Sequence, residues 1–171
     1  MKKYISIAFV AIVLSLGFIS CDVDTDEEPG GTKVEKMAGR WNVTLDVYDT
    51  DGNLLAEDPY HFGVFEIQTY NTVDNSAKLM WLDDLENFWK FKFKVDVDYN
   101  NRTFSADSVD YDADGTGQAV ITYGEVLEGK AINLHGMPND SIVFDIAFSD
   151  DDPAYGCVYR ISGQRYTGFY E

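Results

Sequence analysis

The chain has 171 residues, of which 30 are acidic and 13 are basic, so its formal net charge at pH 7 is −17. This excess of negative charge makes nucleic acid an unfavourable partner, because the two polyanions would repel each other. The sequence contains two cysteines, two isolated histidines and no CxxC or HExxH spacing. It therefore suggests neither a disulfide framework nor a zinc site, and we expect no cofactor.

Residues 1–20 have the pattern of an export signal. Two lysines precede the uncharged run Tyr4–Ser20, which is short for a membrane span. Residues 18–21 (FISC) resemble a bacterial lipobox, and this resemblance implies cleavage before Cys21 and lipidation of its thiol. An ordinary secretory signal that happens to precede a cysteine is the alternative.

Residues 21–33 are expected to form a flexible tether. The segment after Cys21 reads DVDTDEEPGGT, with five acidic residues in its first seven, then proline and two glycines. An acidic patch at this position resembles the surface-export signal of Bacteroidetes lipoproteins, which implies an outer-membrane lipoprotein exposed at the cell surface. A plain spacer on a lipoprotein that faces the periplasm is the alternative.

Charge also bears on how the protein meets the membrane. Removal of the signal with its two lysines leaves 11 basic residues and a formal charge of −19. This charge disfavours docking of the folded surface on anionic head groups. Membrane binding is therefore expected through the N-terminal lipid anchor only.

Residues 34–171 predict a single all-β domain. After a helical turn at Val34–Ala38, short stretches of alternating apolar and polar residues are separated by turns rich in Gly, Asn and Asp. Leu54–Tyr60 is ambiguous, because Pro59 excludes a central strand. The predicted strands are, in chain order, Arg40–Val47, Phe62–Tyr70, Ala77–Leu82, Phe88–Tyr99, Thr103–Tyr111, Gln118–Leu127, Gly129–Leu134, Asp140–Ser149, Cys157–Ile161 and Arg165–Tyr170.

The stretch Phe88–Tyr99 (FWKFKFKVDVDY) has the clearest pattern of the chain. Its apolar and charged residues alternate, which predicts a long strand with one buried and one solvated face. Trp89, Phe91 and Phe93 belong to the apolar face, and the lysines and aspartates belong to the other. The apolar face either packs solidly or lines a cavity.

Short turns between the predicted strands favour antiparallel pairing of sequence neighbours. An up-and-down, calycin-like β-barrel of about eight strands is the economical arrangement, because closure removes both sheet edges. A two-sheet sandwich is the alternative, since strand spacing alone does not separate the two architectures.

The motif Gly39–Arg40–Trp41 opens the first predicted strand. It resembles the G-x-W motif at the start of calycin barrels such as the lipocalins. The resemblance implies that Trp41 plugs the closed end of the barrel and lies near a C-terminal arginine, Arg160 or Arg165. A cation–π contact of this kind would hold the two ends of the domain together.

Five more motifs are Thr69–Thr72 (TYNT), Met80–Asp84 (MWLDD), Phe88–Trp89 (FW), Asp140–Ile142 (DSI) and Gly163–Phe169 (GQRYTGF). Together they resemble a family of Bacteroidetes lipoproteins described as lipid-binding putative hydrolases, with a calycin-like barrel. The similarity runs from about Gly39 to the C-terminus. It implies a barrel and a lipid-like ligand, and it identifies no catalytic residue.

On this interpretation a small hydrophobic or amphipathic ligand binds in the barrel. The residues expected to line the ligand are Phe65, Trp81, Trp89, Phe91, Phe93 and Phe144. The alternative is an accessory surface protein that binds glycan or a partner protein through exposed aromatic side chains, with Met80 and Leu82 on the otherwise polar face of their strand. A hydrolase of unknown substrate is the third possibility.

Asp83 and Asp84 are the candidates for acid–base catalysis. Adjacent strand residues point to opposite faces, so the two carboxylates can act together only if their loop twists. We therefore expect no catalytic residue.

Asp110, Asp112 and Asp114 begin a D-x-D-x-D-G pattern that resembles the start of a calcium loop. The twelfth position is Ile121, which cannot supply the bidentate acid of such a loop. An aspartate-rich turn is expected there, and no metal site.

Overall fold

The computed structural model describes residues 31–112 and 114–168, which contain nine strands and no helix. The strands are β1 (Gly39–Tyr48), β2 (Leu54–Glu57), β3 (Phe65–Asn71), β4 (Leu79–Asp83), β5 (Lys92–Asp98), β6 (Thr103–Asp110), β7 (Gln118–Ile132), β8 (Pro138–Phe148) and β9 (Val158–Arg165). Within these residues, no helix is long and apolar enough to span a membrane. Cys21 and the acidic tether lie outside the described residues.

All strand pairs are antiparallel, and the sheet closes on itself. The order is β2-β1-β3-β4-β5-β6-β7-β8-β9, and β1 also pairs with β9 from Trp41↔Arg165 to Tyr48↔Val158. Eight strands therefore form a closed up-and-down barrel, to which the short β2 adds along the second half of β1. This confirms the predicted barrel and excludes the sandwich.

Strand β1 shows why the alternation in the sequence forms this sheet. Trp41, Val43 and Leu45 are buried in the barrel, and the polar residues between them are more exposed. The strand ends in the predicted turn, where Asp49 Oδ1 accepts hydrogen bonds from the backbone of Asp51 and Asn53. The carboxylate thereby satisfies backbone donors that the ladder leaves free.

Strand β5 is shorter than the alternation predicts, because it begins at Lys92 and not at Phe88. Lys90 has a φ of 60°, in the left-handed region that breaks an extended strand. Phe88 and Trp89 therefore belong to the loop before β5. The prediction of one strand over Phe88–Tyr99 is wrong at this end.

Strand β4 corrects the predicted faces. Met80 and Leu82 are fully buried in the interior, and Trp81 between them is half-buried on the outer face. The residues around Trp81 are all apolar, so the sequence did not reveal which face points inward. Met80 and Leu82 are therefore not on a polar face, and Trp81 does not line the interior.

Two of the predicted strand pairs differ from the observed strands. Residues 118–132 form the single strand β7, in which Gly129, with a φ of 63°, lies within a register shift between Leu127 and Ala131. The irregularity at Gly129 is a bulge, which keeps the β7–β8 ladder continuous. Strand β9 extends the predicted strand Cys157–Ile161 as far as Arg165. Residues 166–168 are not in a strand, so the separate strand predicted at Arg165–Tyr170 is wrong over these residues.

The barrel interior is filled with side chains. Phe91 and Phe144 are fully buried and Phe93 is 3% exposed. Phe91 and Phe93 pack against each other along one segment, with centroids 5.6 Å apart, and Phe104 of β6 packs against Phe144 of β8 at 5.7 Å. An eight-stranded barrel is just wide enough for such packing. These three phenylalanines form a core.

We expect Gly163→Ala to destabilise the barrel strongly. A Cβ at this position of β9 would overlap the carbonyl oxygen of Asn42 and lie 2.6 Å from Val43 Cα, both backbone atoms of β1. Overpacking of this kind costs about 1–3 kcal/mol or more, because the two strands must separate. Urea unfolding of Gly163→Ala and of the neighbouring Ser162→Ala measures the effect, and equal stability of both variants would contradict it.

Candidate ligand site

One end of the barrel is closed by the N-terminal turn and Arg165, and we call it the Arg165 end. Val34 and Met37 from the turn are fully buried. The Arg165 guanidinium lies 4.3 Å from the centroid of the Trp41 ring and donates to the carbonyl oxygens of Lys36, at 2.9 Å, and Ala38. This end is therefore sealed by a cation–π contact and hydrogen bonds.

Polar groups complete the closure of the Arg165 end. Trp41 Nε1 donates to Thr69 Oγ1 at 2.8 Å, and this hydroxyl donates to the carbonyl oxygen of Met37 at 2.6 Å. Gly39 is required because a Cβ there would lie 3.3 Å from Arg165 Cζ and closer still to its Nη1. Arg160 has a different role, since it forms a bidentate ion pair with Asp145.

The opposite end of the barrel carries a group of aromatic side chains, and we call it the aromatic end. Its rings come from the segment before β3 and the first residue of β3, from the loop before β5 and from the facing ends of β8 and β9. They are Tyr60, Phe62, Phe65, Phe88, Trp89, Phe148 and Tyr159, with neighbouring centroids 4.4–6.0 Å apart.

Trp89 and Phe88 form the cover of this group. The indole of Trp89 stacks on the ring of Phe148 at 4.4 Å with an interplanar angle of 4°. Phe88 contacts Tyr159 at 5.2 Å. Phe148 and Tyr159 are thereby buried, whereas Tyr60 is 52% and Phe62 39% exposed. The aromatic end thus presents an apolar rim around a stacked cover.

The cover is held by one carboxylate. Asp84 is 1% exposed, and its Oδ2 accepts from the backbone N–H groups of Phe88, Trp89 and Lys90 at 2.8–3.1 Å. Its Oδ1 accepts from the backbone of Glu86 at 2.9 Å. Three non-glycine residues of this loop have positive φ, namely Leu85, Glu86 and Lys90. Such conformations are costly and persist where surrounding contacts enforce them.

Burial raises the pKa of Asp84 above its ordinary value, although the backbone donors of Phe88, Glu86 and Trp89 act to lower it. The desolvation cost prevails over the hydrogen bonds. The Asp84 carboxylate therefore has a structural role, because its partners are backbone N–H groups of the loop that surrounds it.

Two carboxylates accept hydrogen bonds from rings of the aromatic end and from Tyr111, which packs on Phe148. Tyr111 donates its hydroxyl proton to Asp150 Oδ2 at 2.6 Å, and Trp89 Nε1 donates to Asp150 Oδ1 at 3.3 Å. Tyr159 donates to Asp151 Oδ2 at 2.9 Å. Burial and Asp150 raise the pKa of Tyr111 to about 12. The polar part of this site is thus neutral and anionic.

The predicted lining residues fall into three places. Phe91, Phe93 and Phe144 are core, and Phe65 and Trp89 lie at the aromatic end. Trp81 lies on the outer face, where it stacks beside Tyr70 at 6.4 Å and Lys94 Nζ lies 5.1 Å from its centroid. The sequence analysis did not identify the contributions of Phe88, Phe62, Phe148 and Tyr159. The FW pair was visible as a motif, but the segments that meet it are distant in sequence.

Asp83 and Asp84 do not form an acid–base pair. Asp83 Oδ2 accepts from the Tyr70 hydroxyl at 3.0 Å and pairs with Lys92 Nζ at 3.1 Å on the outer face. Asp84 is turned inward to the loop backbone. The two carboxylates therefore have separate structural partners.

Asp110 ends β6, and Asp112 and Asp114 lie in the turn that follows. The two carboxylate oxygens of Asp112 accept hydrogen bonds from the backbone N–H and the hydroxyl of Thr116. Asp110 accepts a hydrogen bond from Gln118. Within residues 31–112 and 114–168, no three His, Cys, Asp or Glu side chains converge as metal ligands.

A surface depression of about 710 Å³ lies away from the aromatic end, next to the turn between β5 and β6. Its walls combine apolar side chains, such as Val97 and Phe104, with polar side chains of the solvated face, such as Asp96 and Asp98. The aromatic end presents a larger group of stacked and exposed rings, and we therefore take it as the candidate site for an apolar ligand.

We expect Asp84→Ala to release the cover of the aromatic end. Four backbone N–H groups lose their acceptor, at a cost of about 1–3 kcal/mol in the free energy of unfolding. Trp89 then leaves its stack on Phe148, so tryptophan emission shifts to the red. Asp49→Ala is the control, because it removes another turn carboxylate from the same end without touching a ring. Unchanged emission from Asp84→Ala would contradict the role given to this carboxylate.

Comparison with known proteins identifies the family to which the chain belongs. A search of curated proteins gave no match. Residues 26–170 match the family described as "Lipid-binding putative hydrolase". A lipid-binding family and a β-barrel both fit a ligand-binding role. The match covers most of the chain, from the tether to the end of β9 and beyond, and the protein therefore belongs to this lipid-binding family.

Proposed function

We propose that the protein is a lipoprotein of the outer-membrane surface that binds an uncharged amphiphile at its aromatic end. The observation that carries the proposal is the stacked cover of Phe88 and Trp89 within a rim of exposed rings. Exposed aromatic side chains next to a buried apolar core favour ligands with an extended apolar part.

The apolar part of the ligand packs against Phe62 and Phe88, whose rings are 5.8 Å apart. Because the interior is filled by core side chains, deeper entry requires that Trp89 leave Phe148. The binding site is thus a mouth with a movable aromatic cover rather than a preformed central cavity.

The head group of the ligand is uncharged and carries hydroxyl groups. Asp150 and Asp151 accept hydrogen bonds at this end and repel an anion. A monoacylglycerol or a sterol meets these requirements, whereas an ionised fatty acid would place its carboxylate against two others. The family description also names a hydrolase, but Asp83 and Asp84 do not form an acid–base pair that could serve hydrolysis.

We expect Phe62→Ala to weaken ligand binding with little loss of stability. The ring is partly exposed, so its removal deletes ligand contact more than core packing. Titration of the mature protein with a monoacylglycerol, a sterol and a long-chain fatty acid, followed by tryptophan emission, should show about tenfold weaker binding of the neutral ligands. Trp81→Ala on the outer face is the control and keeps the affinity.

The outcomes of this titration separate the parts of the proposal. Equal affinity for the fatty acid would contradict the uncharged head group. Equal affinity of the Phe62→Ala variant and the unchanged protein would contradict the site. Silence from every apolar ligand would remove the lipid-binding function.

A second candidate function is glycan binding on the outer face. Tyr70 and Trp81 form a stacked pair there, flanked by Lys92 and Lys94, in an otherwise acidic protein. Aromatic faces of this kind suit sugar rings, and the ammonium groups favour an acidic sugar. A melting-temperature response to oligosaccharides that is lost in Trp81→Ala would favour this function.

The membrane address depends on Cys21. We expect Cys21→Ala to leave the protein unprocessed or soluble, because the lipidated thiol is the main membrane determinant. Cell fractionation measures this, and a signal-cleaved variant that stays membrane-bound would contradict the anchor. Protease added to intact cells should digest the anchored protein, and neutral replacements of residues 22–28 should abolish this sensitivity if the acidic patch directs surface export.

A further inference from the structure

The hairpin between β7 and β8 has an apolar tip at residues 131–139. Ile132 is 72% exposed, Leu134 73% and Met137 58%. The tip reads AINLHGMPN and has no acidic residue, although the chain has 30 of them. Three large apolar side chains exposed within six residues indicate a contact surface, because isolated exposure would need no explanation.

The tip has a fixed shape. Asn133 is 6% exposed, and its side-chain oxygen accepts from the backbone of His135 at 3.1 Å and Met137 at 2.9 Å. Its backbone N–H donates to the carbonyl oxygen of Met137 at 3.0 Å. Leu134 and Met137 are therefore presented outward by an ordered turn.

Arg165 connects this tip to the start of the domain. Its side chain pairs with Asp140 at 3.2 Å, and its carbonyl oxygen accepts from Asn139 Nδ2 at 2.7 Å. The same guanidinium binds the carbonyl oxygens of Lys36 and Ala38. The base of the hairpin and the N-terminal turn thus meet at the Arg165 end.

From these observations we infer that the N-terminal lipid anchor is not, as the sequence led us to expect, the only membrane contact, and that the β7–β8 tip enters the interfacial layer of the lipid bilayer next to it. This inference rests on the proposed lipidation of Cys21. Ten residues separate Cys21 from Thr32, and they span at most about 35 Å. The chain outside the described residues therefore joins the domain at the end that carries the tip.

The charge of this end agrees with a lipid surface. Lys33 and Lys36 are exposed on the N-terminal turn on either side of Glu35, and Lys130 precedes the tip. Glu128, an acidic residue just before the tip, is paired with Arg102. Val73, in the turn after β3, is fully exposed at the same end. Apolar side chains with nearby lysines are the composition that binds at the boundary of head groups and acyl chains. The overall charge of the protein acts against anionic lipid, so neutral phosphatidylcholine is the appropriate probe.

The test places a dye on the tip of the lipidated protein. Leu134→Cys is combined with Cys157→Ala, since Cys157 is the free thiol of the described residues and Cys21 carries the lipid. The protein is labelled with nitrobenzoxadiazole at residue 134 and reconstituted in phosphatidylcholine vesicles. The vesicles contain lipid with a spin label near the head group. Leu55→Cys, 57% exposed on β2 at the aromatic end, is the matched control.

We expect spin-labelled lipid to quench the dye at residue 134 at least about threefold more than the dye at residue 55, because only the first lies at bilayer depth. Equal quenching at both positions would overturn the inference. A blue-shifted dye without lipid quenching would also overturn it, and cross-linking at residue 134 would then identify a second copy or another protein as the occupant.

Two readouts keep this failure distinct from a failure of the anchor. Flotation of the labelled protein with the vesicles shows first that the lipid is present. The variant Ile132→Ser/Leu134→Ser/Met137→Ser should still float through its anchor, but amide exchange in residues 131–139 should no longer slow when vesicles are present. If vesicles slow amide exchange of residues 131–139 equally in this variant and in the unchanged protein, insertion of these side chains is contradicted.

Discussion

The guanidinium of Arg165 is the contact on which the closure of this barrel depends. It covers the Trp41 ring, donates hydrogen bonds to carbonyl oxygens of the N-terminal turn and pairs with Asp140. The first strand, the last strand and the base of the β7–β8 hairpin are thereby joined at one point. Gly39 leaves room for the guanidinium, so the G-x-W motif and the C-terminal arginine form one structural unit.

This closure makes the two ends of the barrel unequal. The Arg165 end is sealed by hydrogen bonds, a cation–π contact and the buried side chains of Val34 and Met37. The aromatic end is covered by two rings on a loop whose shape is enforced by Asp84. Loss of the Asp84 carboxylate can release the cover of the aromatic end. Opening the Arg165 end requires breaking the contacts that join β1 to β9. On the proposed function, ligand exchange is therefore favoured at the aromatic end.

The sequence predicted the barrel because most strands have one dry and one wet face, as β1 and β8 do. The strand prediction failed before β5. The alternation of apolar and polar residues continues through Lys90, but the positive φ of Lys90 interrupts the extended backbone. The prediction also failed at Met80–Leu82, where three apolar residues leave the inward face undecided. The aromatic end was not predicted, because its rings come from distant segments and their meeting follows from barrel closure rather than from local pattern.

Charge gives the barrel a direction. Acidic residues 150–152 lie in the loop at the aromatic end, where two of them hold tyrosine hydroxyls. The Arg165 end has exposed lysines on its N-terminal turn and a hairpin tip without acidic residues. With a lipid anchor at Cys21, repulsion from anionic head groups would turn the acidic loop away from the bilayer. The aromatic end would then face outward, where an amphiphile from the surroundings can reach Phe62 and Trp89 without crossing the anchored side.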